Sequence, residues 1–158
     1  MDTIKQFQQA LTFDIESAID RVMMRPRVRK EIIELNQKEQ LSEGIDAKDQ
    51  RIRTISAKEQ NDGNVYSHYT IFKRGADGLQ TTNVDLKDSG AFWNTFKVVA
   101  VSEGWDVLAD FNIHGDDIKE NFESKFDFLG LTPDNLNYFA YNIFLPELKK
   151  EIDKWLKK

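Results

Sequence analysis

Cysteine is absent from this chain, which excludes disulfides, thiol nucleophiles and zinc sites built on thiolates. That composition fits a reducing cytoplasm or a particle assembled in one. Histidine is nearly absent, with only His68 and His114. The two are far apart in the chain, so the i,i+4 pair of a helical zinc site is missing. No apolar run approaches the ~20 residues that span a bilayer. The opening Met1-Asp2-Thr3-Ile4-Lys5 has no basic segment followed by an apolar block, so no signal peptide is expected. The glycines at 75 and 78 are not followed by Lys-Ser/Thr and a helix, so no phosphate-binding loop forms, and no Gly-x-Ser-x-Gly elbow exists. Gly44, Asp46 and Asp49 lack the residue order and closing Glu of a calcium loop.

What is present is globular. Hydrophobic residues make up 40% of the 158 and aromatics 11%, which is enough to build one ordinary core without cross-links. Phenylalanine, with 11 copies against 4 Tyr and 3 Trp, is expected to dominate that core. The formal net charge of −5 argues against a dedicated nucleic-acid binder. Charge is unevenly placed. Arg21, Arg25, Arg27, Arg29 and Lys30 crowd one stretch with no acid among them. Residues 103–127 hold Glu103, Asp106, Asp110, Asp116, Asp117, Glu120, Glu123 and Asp127 against Lys119 and Lys125. Such runs are either solvated faces or complementary patches between subunits.

Three prolines punctuate the helices. Ile4, Phe7, Leu11, Ile15, Ile19 and Val22 recur at helical spacing and predict a helix over 3–24, with a break near Thr12. Pro26 ends it and opens a second helix carrying Val28, Ile32 and Leu35, with Gly44 as its stop. Thr132-Pro133-Asp134 reads as an N-cap, a first-turn proline and a dipole-favoured acid. The helix that follows carries Leu136, Phe139, Ala140, Ile143, Phe144, Leu148, Ile152 and Trp155, with a kink expected at Pro146. Residues 96–101 and 105–111, joined by Ser102-Glu103-Gly104, predict a β-hairpin, and Val84-Asp85-Leu86 a possible third strand. A short helix with Ile118 and Phe122 on one face is expected over 115–125. Phe139, Ile143 and Leu148 are expected to pack on the hairpin. Residues 45–82 are polar and punctuated by Gly63, Gly75 and Gly78. They predict an extended loop or arm in which 66–72 forms a strand or a short helix, with Tyr66, Tyr69, Ile71 and Phe72 as its anchors on a partner. The fold class expected is therefore α+β. It comprises long N- and C-terminal helices on a small antiparallel sheet, in a single domain over 1–158.

No catalytic, cofactor or metal site is expected. His114-Gly115-Asp116-Asp117 is the nearest approach to an acid–base or metal cluster, and a turn with an N-cap aspartate explains it as well.

Three ordered stretches carry a resemblance. Gln40-Leu41-Ser42-Glu43-Gly44-Ile45-Asp46 resembles the Q-L-x-x-G-x-D opening of many proteins of tailed phages and prophages, especially those of Bacteroidetes. Asp85-Leu86-Lys87-Asp88-Ser89-Gly90-Ala91-Phe92 is similar to their T-L-x-D-T-G-x-F element, with Ser89 where that element has Thr. Phe128-Leu129-Gly130-Leu131-Thr132-Pro133-Asp134-Asn135-Leu136, with Leu145-Pro146-Glu147-Leu148, resembles their G-L-T-x-E-N-L…L-P-x-L tail. Phage virion-morphogenesis and tail-completion proteins show a similar order. The resemblance implies a structural virion protein forming a ring at the portal–tail junction. Its partners would be itself, portal, adaptor or tail proteins, near packaged DNA and away from membranes. It would be assembled in the host cytoplasm and found in the virion. The interface residues expected are Arg21, Arg25, Arg27, Arg29, Lys30, Tyr66, Tyr69, Ile71, Phe72, Asp116 and Asp117. An accessory protein binding a host factor or nucleic acid is the alternative.

Overall fold

The computed structural model describes residues 12–60 and 62–157. It is a mixture of helices and small antiparallel sheets, α+β in general terms. The chain forms two compact units, one from Met1–Glu31 and Leu136–Lys158, the other from Ile32–Asn135. No helix among the described residues is long and apolar enough to cross a membrane.

The first unit is helical. Helix α1 spans Ile15–Met23. It starts at Asp14, whose carboxylate accepts the Ser17 N–H at 3.0 Å and so satisfies one orphan donor of the first turn. Ala18, Val22 and Met23 are its buried residues, whereas Ile15 faces solvent. The rest of the expected 3–24 helix, including Ile4, Phe7 and Leu11, lies outside the described residues. Helix α2 spans Pro26–Glu34, its proline in the first position where a missing N–H costs nothing. Its last three residues belong to the second unit.

The C-terminal helix has three parts. These are α5 at Pro133–Tyr138, a wide π-helical turn at Phe139–Phe144, and α6 at Leu145–Leu156. The wide turn lies directly before Pro146, where a kink is expected. It accommodates a residue that has no N–H and whose ring crowds the carbonyl of the preceding turn. Within the first unit α6 packs on α1. Phe13 and Trp155 meet edge to face at 5.3 Å, and the Arg25 guanidinium reaches both Glu147 and Glu151.

In the second unit α2 runs on through a π-helical turn, Leu35–Gln40, and a 3-10 turn, Leu41–Glu43. Gly44 ends it in the left-handed conformation, φ 72°. Strands β1 (Lys97–Val101) and β2 (Gly104–Leu108) form the expected hairpin, with Val98 opposite Val107. Both valines are buried. The hairpin thus lies in the second unit, while Phe139 (buried), Ile143 and Leu148 (both half-buried) lie in the first. A second, two-residue pair joins β3 (Asn112–Ile113) to β4 (Asp116–Asp117). Over 115–125 only a 3-10 turn, Ile118–Asn121, replaces the expected helix. Residues 84–86 form no strand, because Leu86 takes a positive φ of 53° that breaks extended geometry. The core contains a run of phenylalanine rings: Phe92 on Phe111 at 4.9 Å, Phe111 on Phe128 at 5.9 Å, and Phe122 on Phe128 at 5.1 Å.

Residues 45–82 are not an extended arm. They carry α3 (Ile55–Gln60) and α4 (His68–Ala76). Ile52, Ala57, Val65 and Tyr66 are buried in the second unit. The segment is also tied back by a β-bridge from Thr54 to Phe122. Ile52, Ala57, Val65 and Tyr66 point inward, whereas Ile55, Tyr69 and Phe72 are exposed. Several polar side chains of the segment, Asp46, Thr54, Ser67 and Arg74, are buried as hydrogen-bonding anchors. At these four positions polarity marks internal bonding rather than exposure.

Gly44 makes a testable case. A Cβ there would meet Asn83 Cβ and Val84 N, each at 3.2 Å, on a backbone already left-handed. Gly44→Ala should cost at least about 1–2 kcal/mol from conformation alone. A urea unfolding midpoint unchanged from the wild type would contradict this.

Candidate functional site

Two of the three resemblance motifs meet inside the second unit as a polar network. Gln40 Nε2 donates to the Gly130 carbonyl at 3.1 Å. Its Oε1 accepts the Thr132 N–H at 2.8 Å and Asn135 Nδ2 at 3.0 Å. Asn36 Nδ2 donates to the carbonyls of Phe128 and Gly130. Asp46 Oδ1 accepts the N–H groups of Lys48 and Gln50, at 3.0 and 2.7 Å, and Oδ2 accepts that of Asp127 at 3.0 Å. All three side chains are buried. Their hydrogen bonds go to backbone and to Asn135, so they position loops; among the described residues Asn36 Oδ1 is buried with no hydrogen-bond partner.

The middle motif takes part in a second cluster. Arg74 is buried and donates to Asp85 Oδ1 at 2.9 Å, to the Gln80 carbonyl at 2.9 Å and to the Lys87 carbonyl at 3.3 Å. Its guanidinium lies over the Tyr66 ring, 4.8 Å from the centroid. Burial pushes the Tyr66 hydroxyl up to about 12. Spacing in the sequence gives no sign of this Arg–Asp–Tyr contact.

The cluster fixes one end of α4, and Ser67 fixes the other by accepting the Thr70 N–H at 3.2 Å. Gln60 Oε1 accepts the His68 N–H at 2.9 Å. Held this way, α4 turns Tyr69 and Phe72 outward, 75% and 78% exposed. Three residues apart, they share a face. Beside Tyr69 opens a shallow cleft of about 220 Å³, lined by Thr70, Lys73, Arg74, Asp77 and Asp88. Of the expected anchors, Tyr69 and Phe72 are thus on the surface and Ile71 is half-buried. Tyr66 is buried beneath Arg74 and is not available to a partner.

The expected charge patches are partly committed within their own units. Arg21 pairs with Glu151 at 3.3 Å, and Arg25 pairs with Glu147 and Glu151. Arg27 and Lys30 are exposed and Arg29 is half-buried. Asp117 caps the turn after it, accepting the Lys119 N–H at 2.9 Å, while Asp116 stays exposed. His114 occupies the β3–β4 turn with φ 56° and shares a shallow cleft with Ser89, Asp88 and Asp116. Among the described residues, no group of three or more His, Asp or Glu side chains gathers to hold a metal. By unit, the charge is also unevenly divided. The first unit has 11 basic and 8 acidic side chains, net +3; the second has 11 and 19, net −8.

Gln40→Ala should cost about 1–3 kcal/mol, because it leaves the buried Thr132 N–H without an acceptor. Chemical denaturation measures this directly. Hydrogen bonds from Lys125 and Lys58 hold the Glu123 carboxyl well below its ordinary value, at about 2. A depressed carboxylate contributes stability above its unfolded pKa of ~4.3 and loses it as pH falls toward the folded value. Glu123→Gln should therefore flatten the acid limb of the stability–pH curve between those values. Unchanged curvature in urea midpoints across that window would refute it. Protein-family models, curated proteins and solved structures all return no match to this chain.

Proposed function

We propose that this protein works by binding rather than by catalysis, as an assembly component that docks through the outer face of α4. The observation that carries this reading is the exposure of Tyr69 and Phe72 on a helix whose ends are tied down. Large aromatics on a rigid support lose little entropy on docking and bury much area, which is the usual make-up of interface anchors. The three short motifs extend the reading. Their resemblance to tailed-phage tail-completion proteins makes a virion component at the portal–tail junction the setting we favour. On this reading the motifs are the scaffold, since Gln40, Asp46, Asp85 and Thr132 are buried, and the exposed residues between them do the binding.

Mass spectrometry of purified particles from the phage or prophage that encodes the chain should find it in the virion. Its absence from particles would overturn the virion setting. Tyr69→Ala/Phe72→Ala should weaken partner binding by tenfold or more, while leaving the unfolding transition nearly unchanged, since both side chains face solvent. Particles carrying the double variant with normal infectivity would remove α4 from the docking role.

A further inference from the structure

Asp88, Ser89 and Gly90 of the middle motif are not buried with its Asp85, and they line a cleft of about 200 Å³. The β3–β4 hairpin contributes Ile113, His114 and Asp116. Leu86, Ala91, Phe92 and Ile118 complete its apolar walls. Sites for drug-sized ligands run to ~300–1,000 Å³, so this one suits a single side chain rather than a cofactor. Among the described residues, no lysine or arginine lines it. Its two carboxylates, Asp88 and Asp116, are exposed, and neither has an ion-pair partner among the described residues. The lysines nearest in sequence are turned to aromatic rings, Lys87 to Trp93 at 5.1 Å and Lys119 to Phe111 at 4.1 Å. The unit that holds the cleft is net −8.

We propose that this cleft receives a lysine or arginine side chain from a partner protein docked on α4. The apolar walls take its methylene stem, and Asp88 and Asp116 take its charged head. This rests on the binding reading above and names the chemistry of the partner. Asp88 also lines the cleft beside Tyr69. The two clefts therefore meet at one side chain, and a segment lying over Tyr69 reaches the second cleft without leaving the surface. The cleft beside Tyr69 has cations of its own, exposed Lys73 and the Arg74 that is paired with Asp85. A basic side chain is thus directed past it to the cleft that has none. Tyr69 and Phe72 supply the apolar area of docking, and the cation–carboxylate contact sets register and partner choice.

The test is a backbone-amide NMR titration of the full chain with Nα-acetyl-arginine methylamide, Nα-acetyl-lysine methylamide and, as the uncharged control, Nα-acetyl-citrulline methylamide. The two cationic probes should give saturable shifts confined to residues 86–92 and 113–118, with affinity in the millimolar range that weakens at high salt. The citrulline probe should leave those signals in place. Asp88→Asn/Asp116→Asn should weaken binding of the cationic probes about fivefold or more. Its urea midpoint should match the wild type, because neither carboxylate is paired in the fold. Asp49→Asn/Glu103→Gln removes the same charge from exposed positions of the same unit outside the cleft, and should leave binding unaltered. Absence of saturable shifts overturns the proposal, as do shifts spread over the acidic surface, an equal response to the citrulline probe, or full binding by the Asp88→Asn/Asp116→Asn variant. Stronger shifts at the same residues from magnesium chloride alone would assign the cleft to an inorganic cation and also overturn it. Tyr69→Ala/Phe72→Ala should bind the probes as the wild type does, since neither side chain lines this cleft. A failed α4 docking role therefore leaves the probe result standing, and a failed probe result leaves α4 standing.

Discussion

The second unit depends on buried side chains that hydrogen-bond to backbone. Its two sheets are two-stranded and one has only two residues per strand. Most of its loops therefore have no ladder to satisfy them. A buried peptide group without a partner is costly, so the chain brings its own acceptors and donors inside. Asp46 gathers three N–H groups, Gln40 serves one carbonyl, one N–H and one side-chain amide, and Arg74 serves two carbonyls and a carboxylate. The phenylalanine run supplies apolar burial, and these polar contacts decide which loop lies where. A network of this kind is cooperative, since loss of one member leaves several groups unpaired.

Where local chemistry decides the conformation, the sequence is readable. Pro26, the Thr132-Pro133 cap, the Gly44 stop and the 97–108 hairpin each follow from a residue whose backbone preference is strong. Asn135 N–H bonds Thr132 Oγ1 at 3.3 Å, as the cap requires. Residues 45–82 fail as a reading for a definite reason. Asp46, Thr54, Ser67 and Arg74 are the residue types that mark a surface, and their burial is set by partners as remote in sequence as Asp127. Composition cannot distinguish a solvated aspartate from one that accepts three backbone bonds. The candidate site was legible in part. Tyr69 and Phe72 stood out as aromatics in a polar stretch, but nothing in their spacing separates them from Tyr66, which points the other way.

The basic corner shows how charge runs mislead. Arg21 and Arg25 look like free cations in sequence, yet α6 offers Glu147 and Glu151 to them, residues more than a hundred positions away. Glu147 is held below its usual range, Lys150 acting with Arg25. Electrostatic character is better assigned to folded units than to windows of sequence, and on that basis one unit is net basic and the other net acidic.

The two π-helical turns have a consequence for chain length. A wide turn holds one residue more than an α-turn over nearly the same path, so it behaves as an insertion absorbed within a continuous helix. Removing that residue from Leu35–Gln40 would leave helical backbone but rotate everything before it by about 100° relative to Gln40. Asn36, which bonds the Phe128 and Gly130 carbonyls, would leave its register with Gln40, which bonds Gly130. The stretch from Pro26 to Gln40 is therefore phase-locked: a one-residue deletion is tolerated by the helix and rejected by what the helix holds.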